Sequence, residues 1–400
     1  MQPPIRPRLR MSLLAIGCLS FIAIGMQGGA LGVAWLQMQD TFGRSLESLG
    51  ILLLATTVGG FFASFWSGRI VAVTGVGWYC LIGALLSLIG LVAISLTPTW
   101  VGLVISTLIV GLGRGAIDTG VNTFVAQNYS TTSMNWLHAT FGIGSFLGPL
   151  LVIFLVITLP LTWQVSYAAL ATFQLVITAL FGVTRKNWDL DYRSQPRGVG
   201  EMRSPSAKES LKLGMVWLCI GLFAIHTGLE VSAGQLTNNL FVESRGIDPG
   251  LSGLWIGFFW GFITLGRVVF GGLSDRIGIA PVLRVCTLGT VVGTLLLWWN
   301  PANTVSYLGL ALMGLTLAPV FPSSVSRTPR LVGIWHSPNV IGFQGAGAAL
   351  GVAILPSLTG VLGDRIGFEV IPICMTLMAL AQVLVHEAIT RREQRIDIAT

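Results

Sequence analysis

Long runs without a charged side chain, broken by short clusters of arginine and acid, set the pattern of this chain. Residues 11–39, 70–113, 119–184, 285–326, 331–363 and 370–386 hold no Asp, Glu, Lys or Arg. A helix needs about 20 apolar residues to cross the hydrocarbon of a bilayer. Only helices and closed barrels satisfy every backbone amide there. Alternating strands of about 10 residues are absent, so the pattern predicts helices. Twelve spans are expected, at roughly 11–38, 46–71, 77–97, 99–127, 134–158, 162–184, 212–241, 250–274, 279–299, 302–326, 337–362 and 368–389. Thr97-Pro98-Thr99 and Leu159-Pro160-Leu161 are read as turns between neighbouring spans.

Composition agrees with a lipid solvent. Of 400 residues, 53% are hydrophobic and 10% charged, with a mean hydropathy of +0.79. Soluble chains carry about 25% charged residues. The net charge of +7 would suit a nucleic-acid partner, but the basic residues sit at span ends and point instead to a bilayer. Arg69, Arg185, Lys186, Lys208, Arg276, Arg284, Arg327, Arg330 and Arg391 fall in even-numbered gaps or near the termini, whereas the odd-numbered gaps hold only Arg44, Arg245 and Arg365. By the positive-inside rule both termini are expected on the cytoplasmic side. The first apolar run is too long for a signal peptide and is read as a span. The five cysteines are scattered inside spans with no metal-binding spacing, so no metal or other cofactor is expected.

Residues 185–211 form the one long polar stretch and are read as a cytoplasmic linker with a short surface helix. It divides a six-helix half, 1–184, from a second, 212–400. Shifting the sequence by 203 residues brings ten glycines into coincidence, Gly25 with Gly228, Gly43 with Gly246, Gly50 with Gly253, Gly68 with Gly271, Gly75 with Gly278, Gly90 with Gly293, Gly111 with Gly314, Gly142 with Gly345, Gly144 with Gly347 and Gly148 with Gly351. Chance would give about three. The fold class expected is an all-α membrane protein of two pseudo-symmetric six-helix halves. Glycine runs such as Gly111-x-Gly113-x-Gly115, Gly142-x-Gly144 and Gly345-x-Gly347 are read as helix-contact faces, because lipid offers no hydrophobic drive between helices.

The segment Gly271-Gly272-Leu273-Ser274-Asp275-Arg276-Ile277-Gly278 resembles the signature loop of the major facilitator superfamily. Its first-half counterpart keeps Gly68 and Gly75 but has Ala72 and Val73 opposite Asp275 and Arg276. Four further segments narrow the resemblance, namely Gly113-Arg114-Gly115-Ala116-Ile117-Asp118-Thr119-Gly120-Val121-Asn122, Met134-Asn135-Trp136-Leu137-His138, His226-Thr227-Gly228-Leu229-Glu230 and Leu317-Ala318-Pro319-Val320-Phe321-Pro322. Together they look like the fucose–galactose–glucose proton symporter group. The resemblance covers nearly the whole chain and implies alternating access between two halves. It implies a sugar and proton site at Asp118 and Asn122, with His138 and Glu230 at further matching positions. The loop implies an inward gate formed by Gly271, Asp275 and Arg276, with Arg267 in the same charge network. One departure is the first span, which carries no acid, only Gln27 among glycines, so fucose itself and its coupling scheme do not carry over.

An ionisable side chain at mid-membrane is costly and faces a cavity or a partner. Asp118 and Glu230 are the acids deepest in spans. Arg114 lies four residues before Asp118 and His226 four before Glu230, so each pair shares a helix face. Asp118, Glu230, His226 and Arg114 are therefore the candidates for proton coupling, with a purely structural ion pair as the competing reading for each pair. Gln27, Asn122, His138, Gln235, Asn238, Gln344 and Trp35 are the substrate-binding candidates, because amides offer donors and acceptors to a polyol and an indole can stack on a sugar. Trp136 and Trp255 are further stacking candidates.

The expected activity is transport of a small polar solute, a sugar for choice, with protons, by a chain working as a monomer. A proton-coupled efflux antiporter for drug-like compounds is the rival, since Gly144-x-x-x-Gly148-Pro149 partly resembles the antiporter signature. A membrane enzyme is the other rival class. No nucleophile, base or metal motif supports it.

Overall fold

The computed structural model describes residues 7–129, 131–189, 206–333 and 335–399. Among them there is no strand, and twelve helices are long and apolar enough to cross a membrane. The first half comprises α1 (Pro7–Phe42), α2 (Glu47–Thr74), α3 (Val76–Leu96), α4 (Trp100–Asn128), α5 (Thr131–Val152) and α6 (Trp163–Thr184). A short α7 (Ala207–Leu211) carries a capping box between Ser206 and Glu209. The second half comprises α8 (Gly214–Asn239), α9 (Pro249–Ile277), α10 (Ile279–Trp299), α11 (Asn303–Leu317), α12 (Val320–Val332), α13 (Ser337–Ile366) and α14 (Val370–Ala399). The chain forms two units, one of residues 1–44 and 51–197, the other of 45–50 and 198–400.

Three spans depart from the regular helices that the pattern predicts, two of them at proline; the third is the seventh, which ends in a π-helical turn over Leu240–Ser244. The tenth is not one rod but α11 and α12, broken at Ala318-Pro319, and it runs on to Val332 rather than 326. The fifth contains Pro149 and widens into a π-helical turn over Ile153–Thr158. Proline lacks the amide donor and crowds the preceding turn, so the ladder must open there.

Glycine governs the packing inside each unit. In the first, Gly25 of α1 meets Ser145 of α5, where an added Cβ would lie 2.8 Å from the Ser145 amide nitrogen. Gly144 and Gly148 return the contact from α5 against the Ile22 and Met26 backbones. Gly90 of α3 leaves 2.8 Å to the Val110 nitrogen of α4, and Gly113 of α4 lies against the backbone of Ser87. In the second unit Gly351 of α13 sits on the Ala224 backbone of α8, and Gly293 of α10 leaves 2.8 Å to the Gly309 oxygen of α11. Backbones this close leave no room for a methyl, which is how helices associate without a hydrophobic drive.

The repeat read from glycines extends to these partners. Gly111 packs on Thr56 and Gly314 on Phe259, while Gly90 packs on Val110 and Gly293 on Met313, each at the same offset of 203. Gly43 and Gly246 have φ of 58° and 60°, and Gly75 and Gly278 have 86° and 90°, so both halves turn with the same left-handed glycines. One expected contact face is only half present. Gly347 packs on Ile220, but a Cβ on Gly345 would meet nothing within 4 Å.

Two polar clusters lock the second unit. Beyond α8, Arg245 donates from Nε and Nη2 to Glu369 at 2.9 and 2.7 Å, and also reaches Ser306 Oγ at 2.8 Å and the Leu297 carbonyl at 2.9 Å. These bonds hold the Glu369 carboxyl below the usual carboxylate range. A depressed folded value contributes stability above the ordinary glutamate pKa of about 4.3, lost as pH falls through the folded value. Glu369 is half-exposed, so the expected loss in Glu369→Gln at neutral pH is at most ~1 kcal/mol. In thermal melts, the gap to wild type should close as pH falls below about 4. A gap independent of pH would mean that the carboxylate charge contributes nothing.

The other cluster is deeper. Arg327 of α12 donates through Nε and Nη2 to Glu393 of α14 and through Nη2 to Thr390 at 3.2 Å. Both charges are more than nine-tenths buried. Arg327→Met leaves the buried Glu393 with only the exposed Arg330, 3.3 Å from its other oxygen, as a cationic partner among the described residues, and is expected to cost up to ~3 kcal/mol, whereas a double change of Arg327 and Glu393 to apolar residues recovers most of it. Melting temperatures of the two single variants and the double variant check this, and additive losses would refute it.

Candidate functional site

In the first unit the chemistry gathers around α4. Arg114 and Asp118 are the only charged side chains between residues 70 and 184. Both are partly buried and face one side of the helix. They do not close on each other, since among the described residues no carboxylate oxygen lies within 4.0 Å of the Arg114 guanidinium. Asp118 instead accepts from Asn122 Nδ2 at 3.2 Å. The Oδ1 of Asn122 is buried without a hydrogen-bond partner among the described residues. Arg114 turns to α1, where its Nη2 would stand 3.3 Å from a Cβ on Gly28. A side chain there would press on the guanidinium, which would have to shift by a few tenths of an ångström.

The surrounding helices hold that geometry. Gln27, beside Gly28, donates from Nε2 to Gln174 Oε1 of α6 at 3.2 Å and accepts from Ser87 of α3 at 3.3 Å. Gln174 Nε2 in turn donates to the Ala84 carbonyl at 3.3 Å. Gln27 thus ties α1 to α3 and α6 beside Arg114. Tyr79 of α3 donates to the Ala63 carbonyl at 2.8 Å. It lies within electrostatic range of Asp118, and Tyr167 of α6 lies within range of Arg114.

In the second unit His226 is fully buried on α8, and its Nε2 stands 3.4 Å from a Glu230 oxygen. Arg267 of α9 also acts on Glu230 electrostatically. The structure therefore places Arg267 with the membrane acid, a role its spacing from the Asp-Arg loop does not reveal. Of that loop, Gly271 and Asp275 lie outside the residues whose side chains are described, and Arg276 is exposed at the end of α9.

The remaining candidates fall elsewhere. Asn238 is fully buried and accepts from Ser252 at 2.6 Å, tying α8 to α9. Gln344 donates to Thr328 at 2.9 Å beside Arg327 and His386, lining a small cavity of about 10 Å³. Gln235 is buried on α8. His138 is exposed on α5 with its ring edge-on to Phe21, centroids 5.5 Å apart. Trp35 is fully buried against Trp100, and its Nε1 has no acceptor. Trp255 stacks on Tyr307 with centroids 4.7 Å apart, and Trp136 is 65% exposed. Gly28, Tyr79 and Tyr167 were not legible as site residues, since nothing in a run of apolar positions marks which small or aromatic residue will come near Arg114 or Asp118.

The sequence profile described as Major Facilitator Superfamily matches residues 217–395, the half that carries the complete Asp-Arg loop. The chain is 22% identical over 356 residues to the glucose/mannose transporter GlcP of Bacillus subtilis, covering 85% of each. It is 22% identical over 391 residues to the human sodium-dependent glucose transporter 1, covering 87% of this chain and 73% of that one. Among solved structures, it superposes on nucleoside transporter NupG with a TM-score of 0.75 at 15% identity, covering 96% of this chain and 98% of the other. A D-xylose-proton symporter superposes with a TM-score of 0.76 at 13% identity, covering 94% and 97%.

Proposed function

We propose that this chain is a member of the major facilitator superfamily of membrane transporters, a reading supported by the profile match to its second half, its relatives and its fold, and that it carries a sugar together with protons by alternating access. The observation that carries the reading is the α4 cluster, in which Asp118 accepts a hydrogen bond from Asn122 and has Arg114 on the same helix face without a contact inside 4.0 Å. A carboxyl in a membrane-embedded site can take up and release a proton as the cycle turns, and a solute that binds better to one protonation state is thereby coupled to the gradient. Asn122 Oδ1 is an open acceptor for a sugar hydroxyl, and an orphan buried acceptor favours a ligand that satisfies it. The sugars named for the similar transporters support the substrate class. The His226–Glu230–Arg267 group is the second unit's own titratable cluster and takes part in the proton step. The bias of basic residues supports cytoplasmic termini, and the bacterial inner membrane is the proposed location.

The test is uptake by proteoliposomes of the purified chain under an inward proton gradient, an inward sodium gradient, or neither. Proton-driven accumulation of a sugar supports the reading. Accumulation driven only by sodium removes the proton from it. Movement only of lipophilic cations, driven by the opposite gradient, makes the chain an efflux antiporter instead.

A further inference from the structure

We propose, building on the sugar–proton reading, that the solute is an anionic sugar, a uronate or aldonate, whose carboxylate is held by Arg114. The charge balance of the first unit leads to this. Arg114 and Asp118 are the only formal charges across residues 70–184, and α1 has none from Met11 to Gln39. With Asp118 ionised the two cancel. Once Asp118 takes a proton, the unit interior holds one cation without a counter-charge. An uncompensated charge in low-dielectric surroundings is costly, and a neutral sugar does nothing to relieve it. A carboxylate does.

The geometry fits the same occupant. Arg114 is not consumed by its neighbour, for among the described residues no carboxylate oxygen lies within 4.0 Å. It is held over Gly28, which lacks the side chain that would cover the guanidinium. The planar fork pairs with a carboxylate through two parallel hydrogen bonds. Asn122 Oδ1, one turn beyond Asp118, offers an acceptor to a hydroxyl of the same molecule. On α1 and α2, which also pack on α4, Asp40, Glu47 and Arg69 are exposed toward the helix ends and Cys18 is a thiol; the other titratable groups are Tyr79 and Cys80 on α3, Tyr167 on α6 and His138 on α5. Tyr79 donates to the Ala63 carbonyl. None of the four supplies an anion at neutral pH. Proton and anion then move together, so each cycle carries no net charge.

The experiment uses the full chain in proteoliposomes with labelled glucuronate, galacturonate, gluconate and glucose. The expected result is uptake of at least one acid under an inward proton gradient, unchanged when a potassium diffusion potential is imposed. Arg114→Gln should lower the apparent affinity for the acid at least tenfold, as loss of a charge-assisted contact implies, with partial recovery in Arg114→Lys. Asp118→Asn, permanently uncharged, should bind the acid with an affinity independent of pH. Glucose uptake that responds to the imposed potential, with no uptake of any acid, overturns this inference and leaves sugar symport standing. Absence of proton-driven uptake of all four solutes overturns the sugar reading as well. Because the wild-type chain alone separates these outcomes, a poorly folding variant does not obscure them.

Discussion

Asp118→Asn should abolish proton-driven accumulation while leaving exchange of solute across the membrane. Asparagine has the shape of a protonated aspartate, so the contact to Asn122 Nδ2 persists and binding survives. What disappears is the proton itself. A pH gradient of one unit supplies about 1.4 kcal/mol, enough for a roughly tenfold concentration ratio at one proton per solute. In the variant that ratio should fall to about one, with counterflow of labelled against unlabelled solute retained. Normal accumulation by Asp118→Asn would move the coupling site away from α4, with Glu230 the next candidate. Loss of both accumulation and counterflow would show that the site needs the carboxylate for binding.

The second large effect is structural. Gly113→Leu should destabilise the first unit severely, because a Cβ at Gly113 already runs into the Ser87 backbone and lies within 2.8 Å of the Ser87 Cα. Two backbones must separate along the α3–α4 seam, not one flexible side chain. Overpacking of this kind reaches ~3 kcal/mol, which for a unit of this size is a fall of about 6–12 °C in melting temperature. Gly345→Leu is the control, since that position faces open space. Fluorescence-detected size exclusion after a temperature ramp compares the two. Equal losses would mean that glycine content, rather than close approach at this seam, governs stability.

The two changes differ in how far they could be foreseen. Asp118 was visible as a charge inside a long apolar run, and its pairing with Arg114 followed from spacing four. That spacing places two side chains on one face but leaves their rotamers open, and the pair turns apart, Arg114 to Gly28 and Asp118 to Asn122. Gly113 and Gly345 both looked like contact glycines. Only one has a neighbour, because a motif shows where a helix can be approached and not whether another helix arrives. Gln27, Asn238 and Gln344 illustrate the same limit. Each is a polar residue in a span, and each satisfies its amide on a neighbouring helix, at Gln174, Ser252 and Thr328.

The sequence by itself determined the membrane-spanning helices and the repeat at 203 residues, because these follow from local hydropathy, backbone chemistry and position along the chain. Only the tertiary structure decided which polar groups meet. It brought Arg267 within electrostatic range of Glu230, bound Arg327 to Glu393, left Arg114 with no carboxylate oxygen within 4.0 Å, and left one oxygen of Asn122 without a hydrogen bond, among the described residues. The reason is physical. Hydropathy depends on each residue alone, whereas hydrogen bonds and ion pairs depend on distances between helices that no spacing along one chain segment specifies.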